Sequence, residues 1–484
     1  MMRAGELIRD LPVAGAADPD LEIVGITHDS RRVRPGDLFV ALLGDRFDGR
    51  TFACEAVDRG AVAVLGPGQA PQGFGGVWLE AREPRRLLGP LAARIFGHPD
   101  RQLVTVGVTG TNGKSTVVSL VAAMLEAGGL PAGRIGTLGY RFQDLGFEGG
   151  RTTPEASDLF RTLRQMRDAG ASAVAVEVSS HGMCLGRVDG AAFDVAVFLN
   201  LTRDHFDFHR GFEDYFAAKR RLFAKLKAGG RGVVNVGDRY GAQLARELAR
   251  PLTFGPGGEV SPVDVELDEQ GMRGRVHTPR GDLRFTSPLL GEFNLDNVVA
   301  AVAAAEALDL PHPAVAEALA SVRPLPGRME PVNAGQPFPA FIDYAHTDAA
   351  LGAALRSLRG FCNRPIVLVF GCGGDRDPGK RVLMGRVAGE LAAIPIVTSD
   401  NPRSEEPAGI IAMVEKGLRE SGSSSFHVVE DRRDAIRRAV ELAAEGSALL
   451  VAGKGHERTQ IVGNREVHFD DREELTRALE ERFG

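Results

Sequence analysis

The string GVTGTNGKST at 107–116 holds the residues with the clearest chemistry in this chain. Gly107, Gly110 and Gly113 free the backbone to turn N–H groups onto an anion. Lys114 is placed to reach the outer phosphates of a nucleotide, and Ser115 or Thr116 offers a hydroxyl to magnesium. The general phosphate-loop pattern needs glycine at 108, where this chain has Val108. What remains is the narrower GTNGKST, whose plain alternative is a glycine turn between a strand and a helix.

Other reactive groups follow. EVSSH at 177–181 offers the Glu177 carboxylate, either as a hard oxygen ligand for magnesium or as a cap for the next helix. NLTRDHFDFH at 200–209 packs Asp204, His205 and Asp207 together, and a crowded histidine beside a phosphate site is a better ligand candidate than a lone one. Lys219, in YFAAKRRLF, reads on spacing alone as a solvated helix lysine. GEFNLDNV at 291–298 sets Asn294 to cap a helix and Asn297 to face outward. GCGGDRDPGKR at 371–381 is an irregular polar loop.

These groups need a scaffold that gathers distant segments. An apolar run at 103–106 and an amphipathic one at 117–125 give strand, loop and helix, which adds a helix N-terminus to the phosphate cradle. Residues 1–99 hold short strands at 21–26, 37–42 and 62–65 and a helix at 84–96, closed by GHPDR at 97–101. Residues 100–330 alternate β-rich runs at 173–178, 194–199 and 232–236 with helical stretches, including a close-packed alanine-rich one at 300–307. SVRPLPGRMEP at 321–331 reads as a hinge, beyond which strands at 341–343, 366–370, 394–398 and 448–452 alternate with helices. The sequence predicts three α/β domains: an N-terminal domain at 1–99, a central P-loop ATPase domain with a parallel-rich sheet at 100–330, and a Rossmann-like domain at 331–484. Each motif falls beyond the C-terminal end of a strand, where such sheets form their sites.

GTNGKST resembles the Mur ligases and their folylpolyglutamate synthetase relatives, and further motifs extend the resemblance along essentially the whole chain. It implies an ATP site of Gly110, Thr111, Asn112, Gly113, Lys114, Ser115 and Thr116, with Asn294 and Asn297 on the adenosine. Arg328 would meet the γ-phosphate and Asp343 the ribose. NLTRDHFDFH is close to the family's NLTRDHLDYH, which implies that His205 helps hold a second magnesium. Ser115, Glu177 and a carbamylated Lys219 complete the implied metal set, and Lys114, Lys219 and His205 are the implied catalytic residues. Carbamylation matters because an ammonium repels magnesium, whereas a carbamate ligates it.

SDNPRSEEP at 399–407 bears on the substrate. Family members that add meso-diaminopimelate carry DNPR, whose arginine grips a carboxylate that lysine lacks. The resemblance therefore assigns Asp400, Asn401, Pro402 and Arg403 to that amino acid, with Arg376, Gly453 and Glu457 beside them. DYAHTD at 343–348 departs from the family's DYAHTP at Asp348, and Val382 replaces a usual proline. HDSR at 28–31, through Ser30, and GDRFDGR at 44–50 resemble segments that cradle uridine diphosphate, with Asp45 where histidine is frequent. Thr152, Thr153, Ser179 and Arg187 match positions that bind the muramoyl peptide. The implied activity is ATP-dependent joining of meso-diaminopimelate to UDP-N-acetylmuramoyl-L-alanyl-D-glutamate, a step of peptidoglycan precursor synthesis, by a cytoplasmic monomer.

Bulk properties narrow the alternatives. A chain of 484 residues accommodates about three domains of roughly 150 residues. A net charge of -6, without a basic block interleaved with aromatics, speaks against nucleic-acid partners. The N-terminus lacks a signal peptide's apolar core, and no apolar run approaches the roughly 18 residues of a membrane span. Cys54, Cys184, Cys362 and Cys372 form no CxxC pair, as expected in reducing cytosol. Two rivals stand beside the ligase: a sister enzyme adding L-lysine, which Arg403 opposes, and a P-loop nucleotide switch, which expects glycine at 108.

Overall fold

Val104–Thr109, buried at five of its six positions, is the strand on which the phosphate loop is built. Its neighbours are Ala173–Glu177 and Phe193–Phe198, both parallel to it, with Glu177 opposite Val108 and Phe198 opposite Thr109. Three adjacent strands thus deliver the glycine loop, Glu177 and the 200–209 loop to one edge. The computed structural model describes residues 1–484 apart from 16–17, 45–46 and 148. Its central sheet has eight strands, parallel from Ala132–Gly136 across to Leu252–Phe254, with an antiparallel pair, Gly139–Phe142 and Leu145–Phe147, at one side. Helices Lys114–Ala127 and Glu292–Ala307 cover one face, and the alanine-rich run is close-packed, with 298–305 buried throughout. Ala156–Asp168 packs on the other face, through Leu159, Phe160, Leu163 and Met166, and this double cover explains why these strands read as unbroken apolar runs.

The C-terminal sheet repeats the device with six strands. Ala340–Asp343, Ala448–Ala452, Ile366–Phe370 and Ile394–Val397 lie side by side and parallel, so the loops beginning at 344, 453, 371 and 398 share one edge. The N-terminal sheet is four parallel strands, Gly25–Thr27, Asp37–Val40, Ala63–Gly66 and Trp78–Glu80, backed by the helix Pro84–Ile95. No helix among the described residues is long and apolar enough to cross a membrane.

The structure corrects some sequence expectations. The strand read at 21–26 is two, Glu22–Ile23 and Gly25–Thr27, in different sheets. The predicted hinge is in part sheet, because Glu330–Val332 pairs antiparallel with Ala340–Asp343. A three-stranded antiparallel sheet, Ser261–Asp268, Gly271–His277 and Leu283–Ser287, was absent from the sequence reading, as was the hairpin Thr459–Val462 with Arg465–His468.

Candidate active site

Gly113 has φ of 88°, and a Cβ built there would lie 2.2 Å from Asn297 Oδ1. Only glycine suits both the backbone and the contact. The helix begins at Lys114, earlier than the sequence reading of 117. Lys114 Nζ donates to the carbonyls of Gly110 (3.0 Å) and Thr111 (2.8 Å), and burial lowers its pKa against the pull of Glu177. The N–H groups of Thr111 and Asn112 donate to Asn200 Oδ1 at 3.1 and 2.9 Å, so the neighbouring strand's loop braces the cradle.

Asn294 does not cap its helix. Glu292–Ala307 starts before it, and its side chain instead donates to Leu290 O at 2.9 Å and accepts from Asn297 Nδ2 at 3.1 Å. Asn297 does not face outward; it is buried against the glycine loop. Asn112, Gly113, Thr116, Asn297, Arg328 and Asp343 line one cavity of 80 Å³ between the central and C-terminal sheets. Arg328 lies over the Tyr344 ring at 4.7 Å, with Nη2 3.4 Å from Ser115 Oγ. Its Nε is buried without an acceptor among the described residues, a site an anionic oxygen would satisfy. The Asp343 carboxylate accepts from Met329 N (2.6 Å) and Ala345 N (2.9 Å), and burial raises its pKa.

Beside the loop, the Glu177 carboxylate accepts from the Thr137 N–H (2.9 Å) and hydroxyl (3.2 Å). His205 has a left-handed backbone (φ 56°), its Nε2 3.4 Å from Asp204 Oδ2 and its ring 4.7 Å from that of His181. Burial keeps both imidazoles neutral, the form that binds metals, with His181 pushed down to about 4. Burial alone would raise Asp204, but its neighbours, Lys380 and the His205 N–H at 2.9 Å among them, hold its pKa below the ordinary carboxylate value. Asp207 is exposed.

The solvated-lysine reading of Lys219 fails. Its side chain is 1% exposed, Nζ donates to Gly110 O at 2.7 Å, and the amine sits 4.4 Å from the Tyr215 ring centre. Burial, followed by the charge of Lys114, drives its pKa well below that of an ordinary lysine. Among the described residues, no three His, Cys, Asp or Glu side chains form a ready metal cage. The oxygen donors of Ser115 and Glu177, with the His205 imidazole, suit magnesium that takes its other ligands from phosphates.

At the C-terminal sheet, the Arg403 backbone is left-handed (φ 53°) and its N–H donates to Ile461 O at 3.0 Å. Its guanidinium donates to Gly374 O at 2.7 Å, and burial, then Arg376, lowers its pKa. Arg376 itself is exposed and donates to Asp375 O. Asn401 Nδ2 donates to Glu457 Oε2 at 2.8 Å, and Gly453 brings its backbone so close that a Cβ would lie 2.7 Å from Asp400 Oδ2. Pro402 is buried, with its carbonyl close to Gly374. Arg403 thus sits within reach of the charges of Arg376, Asp400 and Glu457.

Ser30 lines a second, 970 Å³ cavity at the N-terminal sheet and donates to Glu55 Oε2 at 3.3 Å. Asp45 lies outside the described residues. Arg187 reaches this region through Glu155, with Nε 2.9 Å from its carboxylate. Thr153 is fully buried, its hydroxyl shared between Glu177 O and Ser179 Oγ, while Thr152 pairs with Thr137 Oγ1 at 2.9 Å.

Family models match three successive stretches: the Mur ligase family catalytic domain at 22–85, the Mur ligase middle domain at 108–305 and the Mur ligase glutamate ligase domain at 327–455. The chain belongs to the Mur ligase family.

Two curated relatives carry the name UDP-N-acetylmuramoyl-L-alanyl-D-glutamate--2,6-diaminopimelate ligase. The one from Geobacter metallireducens is 42% identical over 99% of both chains. The one from Streptomyces coelicolor is 43% identical over 99% of this chain and 96% of its own. A solved structure of a ligase with that name is 32% identical, with a TM-score of 0.70 over 100% of this chain and 99% of that one. The three α/β sheets of this Mur ligase are thus the family's three-domain fold.

Several residues of the site escaped the sequence reading. Asn200 opens the 200–209 string, and its place directly after a buried strand beside the glycine loop was the available signal. Lys454 lies between the two named residues Gly453 and Glu457; it is fully buried and donates to Asn401 Oδ1 (3.2 Å), Glu457 Oε2 (3.3 Å) and Thr459 O (2.6 Å). Arg85 and Arg151 line the larger cavity, and only the adjacency of Arg151 to Thr152 hinted at it.

Proposed function

We propose that this Mur ligase joins meso-2,6-diaminopimelate to the D-glutamate γ-carboxylate of UDP-N-acetylmuramoyl-L-alanyl-D-glutamate, with ATP as co-substrate. The observation that carries the choice of amino acid is Arg403, half-buried at the sheet edge beside Asp400, Asn401 and Glu457. Its guanidinium, with Arg376, recognises the distal carboxylate that lysine lacks. Gly453 and Glu457 face the ammonium group at the same end.

A γ-carboxylate oxygen attacks the γ-phosphorus of ATP, the bond to the β-phosphate oxygen breaks and ADP leaves. Lys114, Arg328 and the loop N–H groups meet the charge that develops. The amine nitrogen then attacks the acyl carbonyl, gives up a proton, and the bond to phosphate breaks. Asn294 and Asn297 hold the adenosine and Asp343 the ribose, beside the rest of the 110–116 loop. Ser115, Glu177, His205 and a carbamate on Lys219 would hold magnesium, which would neutralise phosphate charge. The lowered pKa of Lys219 supports that carbamate, since only a neutral amine adds to carbon dioxide. Ser30, Thr152, Thr153, Ser179 and Arg187 position the uridine diphosphate and muramoyl peptide portions. Domain boundaries near 100 and 330 and a cytoplasmic monomer complete this reading.

Incubation with ATP, the dipeptide substrate and equimolar meso-diaminopimelate and L-lysine tests it. One product with the mass of the diaminopimelate amide is expected; a lysine amide as the main product would contradict the role given to Arg403.

A further inference from the structure

Arg203 and Asp377 face each other from two different sheets. Arg203 lies on the loop after Phe193–Phe198 and directly precedes Asp204 and His205. Asp377 lies on the loop after Ile366–Phe370, next to Arg376. Arg203 Nε donates to Asp377 Oδ2 at 3.0 Å, and Nη2 lies 2.9 Å from Oδ2 and 3.3 Å from Oδ1. The Asp377 side chain is only 11% exposed, so water screens this pair less than a surface one. Both partners are held. Asp377 Oδ1 also accepts the Gly379 N–H at 2.8 Å, and Arg203 lies over the Phe206 ring at 5.1 Å. Gly379 admits the guanidinium, because a Cβ there would come within 2.5 Å of Arg203 Nη2.

The neighbouring residue makes a second contact across the same boundary. Asp204 Oδ2 lies 3.8 Å from His346 Nε2. Consecutive residues of the catalytic loop therefore both reach polar groups of the C-terminal domain. This arrangement defines one docking register between the loop at the acyl phosphate and the loops around the amino acid.

We propose that Arg203 and Asp377 are a positioning pair that aligns the amino-acid domain on the catalytic loop, so that the acyl phosphate passes to the amine and not to water. The proposal rests on the ligase reading above. In the productive course, nitrogen attacks the acyl carbon and phosphate leaves with its bridging oxygen. In the wasteful one, a water oxygen attacks the same carbon, which returns the carboxylate, phosphate and a proton. Both begin from the same intermediate, and a displaced amine favours the second. Neither residue is required to touch substrate.

The test measures phosphate released per amide formed, with meso-diaminopimelate saturating, for wild type, Arg203→Met, Asp377→Asn and the double variant. Wild type should give a ratio near one. Each single variant should raise the ratio several-fold and lower kcat for amide formation by about ten- to a hundredfold, with the KM for ATP little changed. The double variant should be no worse than the worse single, because one contact is lost in all three. Arg203→Lys, which keeps charge without the two-pronged contact, should fall between. The ratio does not depend on how much of a preparation is folded. A ratio that stays at one in every variant, or single losses that multiply in the double, would overturn the proposal. Absence of any amide from wild type would instead sink the ligase reading itself.

Discussion

A lysine amine held 2.7 Å from the Gly110 carbonyl and walled off from water cannot titrate as a surface lysine does. Its folded pKa lies below the unfolded value, so between the two the unfolded chain binds the extra proton. Stability from this residue therefore rises with pH across that window. In buffer free of carbon dioxide, wild type should gain melting temperature relative to Lys219→Met as pH moves from 7 to 10; a constant gap would contradict the burial argument. For catalysis, Lys219→Ala should lose about ten- to a hundredfold in activity and recover part of it with added short-chain acids. Full activity without rescue would remove the carbamate from the account. Arg403→Ala should lower kcat/KM for meso-diaminopimelate by about ten- to a hundredfold, the worth of a charge-assisted contact, and leave lysine use little changed. Parallel kinetics with the two amino acids decide that.

Helix starts and strand ends carry the site, and their demands are specific. Gly113→Ala would push a side chain against Asn297 and force an alanine into φ of 88°, at about 1–3 kcal/mol of backbone strain. The expected result is a lower melting temperature with a higher KM for ATP; an unchanged KM would show that the loop tolerates displacement. In the C-terminal domain, Arg432 and Asp471 are fully buried at the starts of the helices Arg432–Leu442 and Asp471–Phe483, with two contacts of 2.7 Å. Arg432→Met alone should cost about 3–5 kcal/mol by stranding a buried carboxylate, and adding Asp471→Leu should recover much of it. Chemical denaturation of both variants measures this. The parallel strands were legible because burial on both faces leaves an apolar run with a motif at its end, as at Ala173–Glu177. Ser261–Asp268 was not, since only half-burial marks it and Pro262 and Asp264 interrupt the pattern. The inward turn of Asn297 and the burial of Lys219 depend on segments more than a hundred residues away, which periodicity cannot reveal.

Across the whole molecule, the central and C-terminal sheets turn the ends of their strands toward a shared cleft, where Arg328, Asp343 and Tyr344 close on the glycine loop. The Arg203–Asp377 contact lies on the same boundary. Phosphate chemistry and amine selection therefore belong to one cycle, and each should depend on the other. The most direct test is phosphate release from ATP with UDP-N-acetylmuramoyl-L-alanyl-D-glutamate present, comparing meso-diaminopimelate, L-lysine and no amine, with product mass determined in parallel. The account predicts sustained release only with meso-diaminopimelate, matched by the amide in equal amount. Sustained release without any amide product would mark a nucleotide hydrolase and contradict it.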